Sequence, residues 1–243
     1  MARGSPDYGL PDYSFFAVET PVSDVVAERQ GFSRLDNRGR VLWFDDFRHS
    51  LFRWQKDLDA PGTSPTHSLD LGFGVGYHGS VKLLPVGDGG TSQLFNILML
   101  PVSKHIGIEA SFYMTANSGS FGMAMQHAYA TGTMKSLSMI VYPDSGDINL
   151  FTTTGQQTIY TFSDVLLLRK GFISIKMVGD METGKYVRVM IGNEQIDVSN
   201  YVMSDGVSGL VGSSYFSVTG SGVSAVYKEP VYVAYVVISG DEP

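Results

Sequence analysis

The chain has 243 residues, of which 43% are hydrophobic and only 17% are charged, and its formal net charge is −7. This composition excludes a disordered chain of low hydrophobicity, and the absence of a run of lysine or arginine argues against nucleic acid as a partner. Cysteine is absent, which excludes disulfides, thiolate metal sites and a cysteine nucleophile. No signal peptide is visible and no apolar stretch approaches the ~20 residues that span a bilayer. We therefore expect a protein that is made in the cytoplasm and does not insert into a membrane.

The first 40 residues differ from the rest and predict an extended N-terminal arm. Pro6 and Pro11 fix their φ angles and lack a donor N–H, which disfavours a helix or a central strand here. Residues 22–30 predict one short helix within the arm. Several aromatic residues of the arm are costly to leave in water: Tyr8, Tyr13, Phe15 and Phe16. We expect the arm to dock through them, on its own body or on a neighbouring subunit.

From residue 41 onwards, apolar and polar residues alternate with a period of two, which is typical of half-buried β-strands. The predicted strands are residues 41–47, 69–75, 80–86, 93–100, 106–114, 121–127, 136–142, 147–152, 157–162, 171–178, 185–191, 208–218 and 230–238. Pro143 to Gly146 predicts a tight turn, and Asp180 to Gly184 predicts a hairpin loop. No linker divides the region, so residues 41–243 are predicted to form a single antiparallel β-sandwich or barrel.

Four segments of the chain form a pattern when they are taken in order. They are residues 43–47 (WFDDF) with Trp54, residues 105–112 (HIGIEASF), the strand-turn-strand of residues 171–191, and residues 231–238 (VYVAYVVI). This series resembles the concanavalin A-like lectin and glucanase jelly rolls, which include laminin-G-like domains. The resemblance spans roughly residues 41–239 and implies an all-β jelly-roll sandwich. It implies fold more than function, because lectins, enzymes and structural proteins share this architecture.

Relatives with this fold hydrolyse glycans, which requires two carboxyl groups about 5 to 5.5 Å apart. On a strand, residues i and i+2 share a face, but Glu109 is followed by no acid through Tyr113. Glu194 and Asp197 are three residues apart and therefore face opposite sides. No nucleophile elbow and no zinc-type histidine spacing occurs. We predict that the chain is not an enzyme, and we name no catalytic residue.

A sandwich lyase would use a tyrosine, a histidine and a lysine or arginine on one sheet face. Residues of these types are present at His127, Tyr142, Lys176 and Arg188. The sequence leaves open whether they converge, so a polysaccharide hydrolase or lyase stays as the third hypothesis.

Asp45 and Asp46 are adjacent on a predicted strand and must point to opposite faces. One interpretation is a calcium site that is completed by carbonyl oxygens. The favoured interpretation is that one carboxylate caps a loop or pairs with Arg48 or Arg53 while the other faces solvent. Ala234 and Tyr235 stand where related jelly rolls often carry acids, so the resemblance does not carry a calcium site. No other cofactor is predicted.

Aromatic side chains could build a platform for glycans, because tyrosine and tryptophan rings match the apolar faces of sugars. Trp43 alternates into the predicted core, and Trp54 is expected to pack under a loop. The candidates for surface contact, with glycan or with protein, are Tyr77, Tyr113, Tyr129 and Tyr142.

Two hypotheses from different classes remain. The first is a non-enzymatic structural, assembly or decoration module whose arm docks on neighbouring subunits in a homo-oligomer, such as a capsid-decorating or tail-associated component of a phage or virus-like virion. The second is a monomeric carbohydrate-binding module with an aromatic platform.

Overall fold

The computed structural model describes residues 35, 39–47, 51, 53–58, 64–68, 79–85, 89–98, 103–115, 117–163, 171–207, 212–222 and 229–243. Several predictions fall outside these residues: the arm anchors Tyr8, Tyr13, Phe15 and Phe16, the helix at 22–30, the strand at 69–75, Arg48 and Tyr77.

The described part of the chain forms two antiparallel sheets of eight strands each, here called sheets A and B. Sheet A runs in the order β13 (Glu194–Asp197), β12 (Lys185–Ile191), β11 (Ile173–Asp180), β6 (His105–Tyr113), β16 (Val231–Gly240), β4 (Ser80–Leu83) and β3 (Thr66–Ser68), with β1 (Arg40–Asp45) beside β16. Sheet B runs in the order β10 (Gly155–Thr161), β9 (Asp147–Thr152), β8 (Thr133–Val141), β7 (Ser120–Ala128), β15 (Ser214–Ser221), β5 (Thr91–Leu98) and β2 (Gln55–Leu58), with β14 (Ser204–Val207) beside β8.

The two sheets stack into an all-β jelly-roll sandwich, as the sequence predicts. Every predicted strand that lies in the described residues is present, with ends that differ by a few residues. The strand predicted at 208–218 is observed at Ser214–Ser221, which is the largest shift. Four strands were not predicted, namely β2, β3, β13 and β14. Each has only three or four residues, too few to show a period of two.

The main core fills the space between the sheets. Phe112 of sheet A stacks on Phe121 of sheet B, with ring centroids 4.1 Å apart. Trp43 is buried in the core as predicted. Trp54 is only 6% exposed, belongs to this core and meets Trp43 edge-on at 4.9 Å.

One buried tyrosine links the two sheets by hydrogen bonds. Tyr186 of β12 is fully buried, and its hydroxyl lies 2.7 Å from the carbonyl oxygen of Phe151 and 2.9 Å from that of Ser138, both in sheet B. The hydroxyl also accepts the backbone N–H of Ser138 at 3.2 Å. Burial raises the pKa of Tyr186 to about 12, so the phenol stays protonated and keeps its donor.

Candidate functional site

Strand β7 lies at the centre of sheet B and shows how the outer face of this sheet is composed. Its phenylalanine and two methionines are buried in the core. Because side chains alternate along a strand, Gly122, Ala124 and Gln126 point outwards. Small and polar residues therefore occupy the middle of this outer face.

The register extends this pattern over the neighbouring strands. Gln126 lies opposite Tyr215 of β15 on one side and opposite Ser136 of β8 on the other. Ala124 lies opposite Ser217 of β15. We call the outward side chains of β5, β15, β7 and β8 the polar face. Its members are Gln93, Phe95, Ile97, Tyr215, Ser217, Thr219, Gly122, Ala124, Gln126, Ser136, Ser138 and Ile140.

An aromatic pair stands on the polar face. The rings of Phe95 and Tyr215 are stacked, with centroids 5.3 Å apart and an interplanar angle of 30°. Gln93 donates a hydrogen bond to the Tyr215 hydroxyl at 2.9 Å, which holds the phenol in place. The pair places two aromatic rings beside amide and hydroxyl groups, an arrangement that suits a ligand with both apolar and hydroxylated surfaces.

The strands that carry the polar face contain no carboxylate. The sequences of β5, β7, β8 and β15 include neither Asp nor Glu. Glu109, the acid of the strand that resembles related jelly rolls, lies instead on the outer face of sheet A. It is 1% exposed, and one of its oxygens accepts a hydrogen bond from the Tyr235 hydroxyl at 2.8 Å. An acidic pair for glycoside hydrolysis is therefore not built on the central strands of sheet B.

The four residues considered for a lyase do not converge. His127 lies on β7 and Tyr142 follows β8, both in sheet B, whereas Lys176 and Arg188 lie on β11 and β12 of sheet A. Lys176 and Arg188 are paired with the carboxylate of Glu242, at 2.7 Å and 3.0 Å. The sandwich separates the two groups.

A pocket of about 350 Å³ lies at one end of the sandwich. Its lining consists of Ser103, Lys104, Ile106, His127, Tyr129, Met181 and Glu182. His127 is buried, its Nδ1 is 3.0 Å from the Ser214 hydroxyl, and burial lowers its pKa. Within the described residues, His127 makes no hydrogen bond to a carboxylate that could orient it as a general base. Among the residues that the structure describes, the Ser–His pair has no third member of a catalytic triad.

Of the two adjacent acids Asp45 and Asp46, Asp45 accepts hydrogen bonds from residues that follow it in the chain. Asp45 is 8% exposed, and its two oxygens accept hydrogen bonds from the Phe47 N–H at 2.9 Å and the Trp54 indole N–H at 3.0 Å. Burial raises the pKa of Asp45 despite these bonds and the nearby Arg53. This geometry matches a carboxylate that caps a loop, and it does not favour a calcium ligand. Among the described residues, no three His, Asp or Glu side chains cluster as a metal site would require. Calcium at Asp45 and Asp46 stays a prediction.

The predicted contact tyrosines that the structure describes lie in three separate places. Tyr113 is on the outer face of sheet A, with its ring 5.9 Å from that of Phe172. Tyr129 lines the end pocket and donates its hydroxyl proton to the Met181 carbonyl. Tyr142 donates to the Gln156 side chain at 3.0 Å, near one edge of sheet B.

The aromatic pair on the polar face was missed by the sequence analysis. Phe95 and Tyr215 each alternate outwards on their strands, which the sequence does show. They are 120 residues apart, however, and only the pairing of β5 with β15 brings their rings together.

Comparison with solved structures identifies the fold, whereas no protein family and no curated protein matches the sequence. The lectin-like defence protein arcelin-5 from Phaseolus vulgaris matches with a TM-score of 0.51 and 9% identity, over 81% of this chain and 96% of arcelin-5. A laminarinase from Flavobacterium sp. UMI-01 matches with a TM-score of 0.52 and 10% identity, over 82% of this chain and 99% of the laminarinase. A carbohydrate esterase from the Shiga toxin-encoding bacteriophage phi24B matches with a TM-score of 0.51 and 13% identity, over 83% of this chain and 99% of the esterase.

These similarities show that the chain has the concanavalin A-like jelly-roll fold. Lectin-like proteins and enzymes share this fold at such low identity, so the fold alone does not separate binding from catalysis. The described residues include no helix with the length and hydropathy needed to cross a membrane.

Proposed function

We propose that this chain is a non-enzymatic, lectin-like module that binds glycans through the polar face of sheet B. The observation that carries this proposal is the stacked pair of Phe95 and Tyr215 beside amides and hydroxyls, on strands without a carboxylate. Two of the structural neighbours support it by their names, since one is lectin-like and another is a laminarinase.

The chemistry of the polar face matches that of a sugar. The C–H face of a pyranose packs on an aromatic ring, while its hydroxyl groups exchange hydrogen bonds with neutral polar side chains. Gln126 lies beside Tyr215 in the register, and Thr219 lies four residues further along β15 on the same face. Both can act as donor and acceptor towards a hydroxyl group. An uncharged face also favours a neutral glycan over an acidic one, because no arginine or lysine projects from it to pair with a sugar carboxylate.

The lack of an acid on these strands supports binding rather than hydrolysis. A retaining glycosidase needs a nucleophile and a proton donor on the face that holds the sugar. The amide of Gln126 and the methyl group of Ala124 supply neither function. The buried imidazole of His127 lies on the opposite, inward side of β7.

A glycan array tests this proposal, with the whole chain applied in the presence and absence of a calcium chelator. We expect binding to neutral oligosaccharides, and Tyr215→Ala and Gln126→Ala should each weaken it at least tenfold. Gln195→Ala is the matched control, because Gln195 is exposed on edge strand β13 of the other sheet. Silence on a broad array, or unchanged binding by both polar-face variants, would refute the proposal. Loss of binding with chelator would show that binding requires a divalent cation.

A second candidate function is a structural or decoration module of a virion that assembles as a homo-oligomer after synthesis in the cytoplasm. It is supported by the content of 13 Tyr, 14 Phe and 11 Met residues in the chain, because aromatic residues and methionine are enriched at subunit interfaces. One structural neighbour is a phage protein. Size-exclusion chromatography with light scattering tests it, and a strict monomer at all concentrations would count against it.

A further inference from the structure

The outer face of sheet A carries a cluster of aromatic and aliphatic side chains, whereas the central outward positions of sheet B are small or neutral and polar. Its apolar members form a second cluster that does not belong to the main core. They are Phe172, Ala234, Tyr235 and Val237, which are buried, and Val41, Phe44, Tyr113 and Tyr232, which are partly buried. We call this set the aromatic face. The side of a sandwich sheet that points away from the core is normally solvated and polar, so this face requires a cover.

The charged residues beside the aromatic face lead to the same conclusion. Lys176 has no exposed surface and Glu109 is 1% exposed, although both lie on the outer side of central strands. Glu242 reaches over from the segment after β16 and pairs with Lys176 and Arg188. Charged side chains are almost never fully buried on an uncovered sheet.

The chain enters β1 across this same face. Gly39 directly precedes β1 and is buried. A Cβ atom at Gly39 would lie 2.2 Å from the Glu242 carboxylate, which itself sits over Lys176. The backbone just before β1 therefore runs against the outer side of sheet A, and residues further upstream start from that position.

We propose that residues 1–34 of the same chain cover the aromatic face. Tyr8, Tyr13, Phe15 and Phe16 supply the aromatic side chains that such a cover needs. Length is no obstacle, since 34 extended residues reach up to about 110 Å, and a sheet seven strands wide with strands about 4.8 Å apart spans roughly 30 Å. The short tether at Gly39 gives the segment a high effective concentration at its own sheet, which favours it over a second copy.

Hydroxyl-radical footprinting with mass spectrometry tests this placement without altering the face. The whole chain is compared with a variant that lacks residues 1–34. Oxidation of Phe44, Tyr113 and Tyr232 should rise at least threefold in the shortened chain. Phe95 and Tyr215, on the outer face of sheet B, serve as the control within the same sample and should not change. Equal oxidation of the aromatic face in both proteins would overturn the proposal.

A full-length variant tests the same placement without depending on whether the shortened chain folds. Phe15→Ser combined with Phe16→Ser should expose the same three aromatic residues, with the fluorescence of Trp43 and Trp54 unchanged. Light scattering then separates the same chain from a second copy. A monomer whose protection does not depend on concentration supports the proposal, whereas protection that is lost on dilution together with dimer mass would overturn it. Neither result depends on glycan binding by the polar face.

Discussion

The two outer faces of this sandwich have different chemistry although both sheets share one core. On sheet B, the outward residues of the central strands are small or neutral and polar, with the Phe95–Tyr215 pair among them. On sheet A, the outward residues form a cluster of aromatic and aliphatic side chains that are buried or partly buried, beside charged side chains that are fully buried. The same alternation of side chains generated both faces, so the difference lies in what the outward positions carry. One face suits reversible contact with a hydroxylated ligand, and the other suits permanent cover.

The buried charged groups of sheet A determine how strongly the stability of this sheet depends on individual side chains. A buried charge is tolerated only when partners compensate for its lost hydration. Glu242 has two partners within 3.0 Å, and Glu109 has the Tyr235 hydroxyl. The stability of sheet A therefore depends on single side chains to a degree that the polar face does not share.

The largest effect is expected for Glu242→Gln. This change removes the carboxylate that contacts both buried cations, Lys176 and Arg188, and removal of one partner from a buried ion pair costs about 3–5 kcal/mol. Denaturant unfolding at pH 7 measures the loss. Asp144→Asn, in the exposed turn before β9, is the control and should change the free energy of unfolding by less than about 0.5 kcal/mol. A loss below about 1 kcal/mol for Glu242→Gln would show that the cluster is hydrated.

Tyr186→Phe should have the next largest effect, because it removes the hydrogen bonds that join the two sheets. Losing the partner of buried backbone groups costs about 1–3 kcal/mol. The pKa of Tyr186 is raised to about 12 in the folded state, from an ordinary value of 10.0. The contribution of this tyrosine is therefore fully present below pH 10 and is lost as the pH rises through about 12. Unfolding at pH 7 and at pH 11.5 should show a smaller difference between the two proteins at the higher pH.

The sequence predicted the architecture well because alternation is a local property. Hairpins such as the one closed at Gly184, whose φ of 69° suits glycine, are also set by neighbouring residues. The contacts that define the sites are not local. Glu242 meets Lys176 and Arg188 only because β16 runs beside β6, which in turn runs beside β11. The partners of Phe95 and the inter-sheet role of Tyr186 depend on register and stacking in the same way.

A smaller loss in the free energy of unfolding is expected when Asp180, at the turn after β11, is replaced. The Oδ1 atom of Asp180 accepts the backbone N–H groups of Glu182 at 2.9 Å and Thr183 at 3.1 Å. Burial alone would raise the pKa of Asp180, but these bonds and the charge of Lys104 outweigh it and lower the pKa. Its contribution is therefore present above the ordinary pKa of 3.8 and is lost as the pH falls through the lower folded value. Asp180→Ala should cost about 1–2 kcal/mol at pH 7.

Unfolding titrations at a series of pH values measure this dependence. The difference between the wild-type protein and Asp180→Ala should shrink below pH 4. A difference that stays constant down to pH 2 would show that the carboxylate is not the stabilising species.

The smallest loss in the free energy of unfolding is expected for an ion pair of sheet B. It joins a lysine to a carboxylate, as the buried cluster of sheet A does, but it is exposed to solvent. Lys135 of β8 and Asp205 of β14 are 2.6 Å apart, with 25% and 57% of their side chains exposed. Exposed pairs contribute between about 0 and 1 kcal/mol and are screened by salt. Asp205→Asn should therefore cost less than about 1 kcal/mol at low ionic strength and nothing measurable in 1 M salt. The loss caused by Glu242→Gln should persist in 1 M salt, since ions screen a buried pair much less. If salt abolished both losses, solvent would reach the outer side of sheet A, and the contrast between a covered face and an open one would fail.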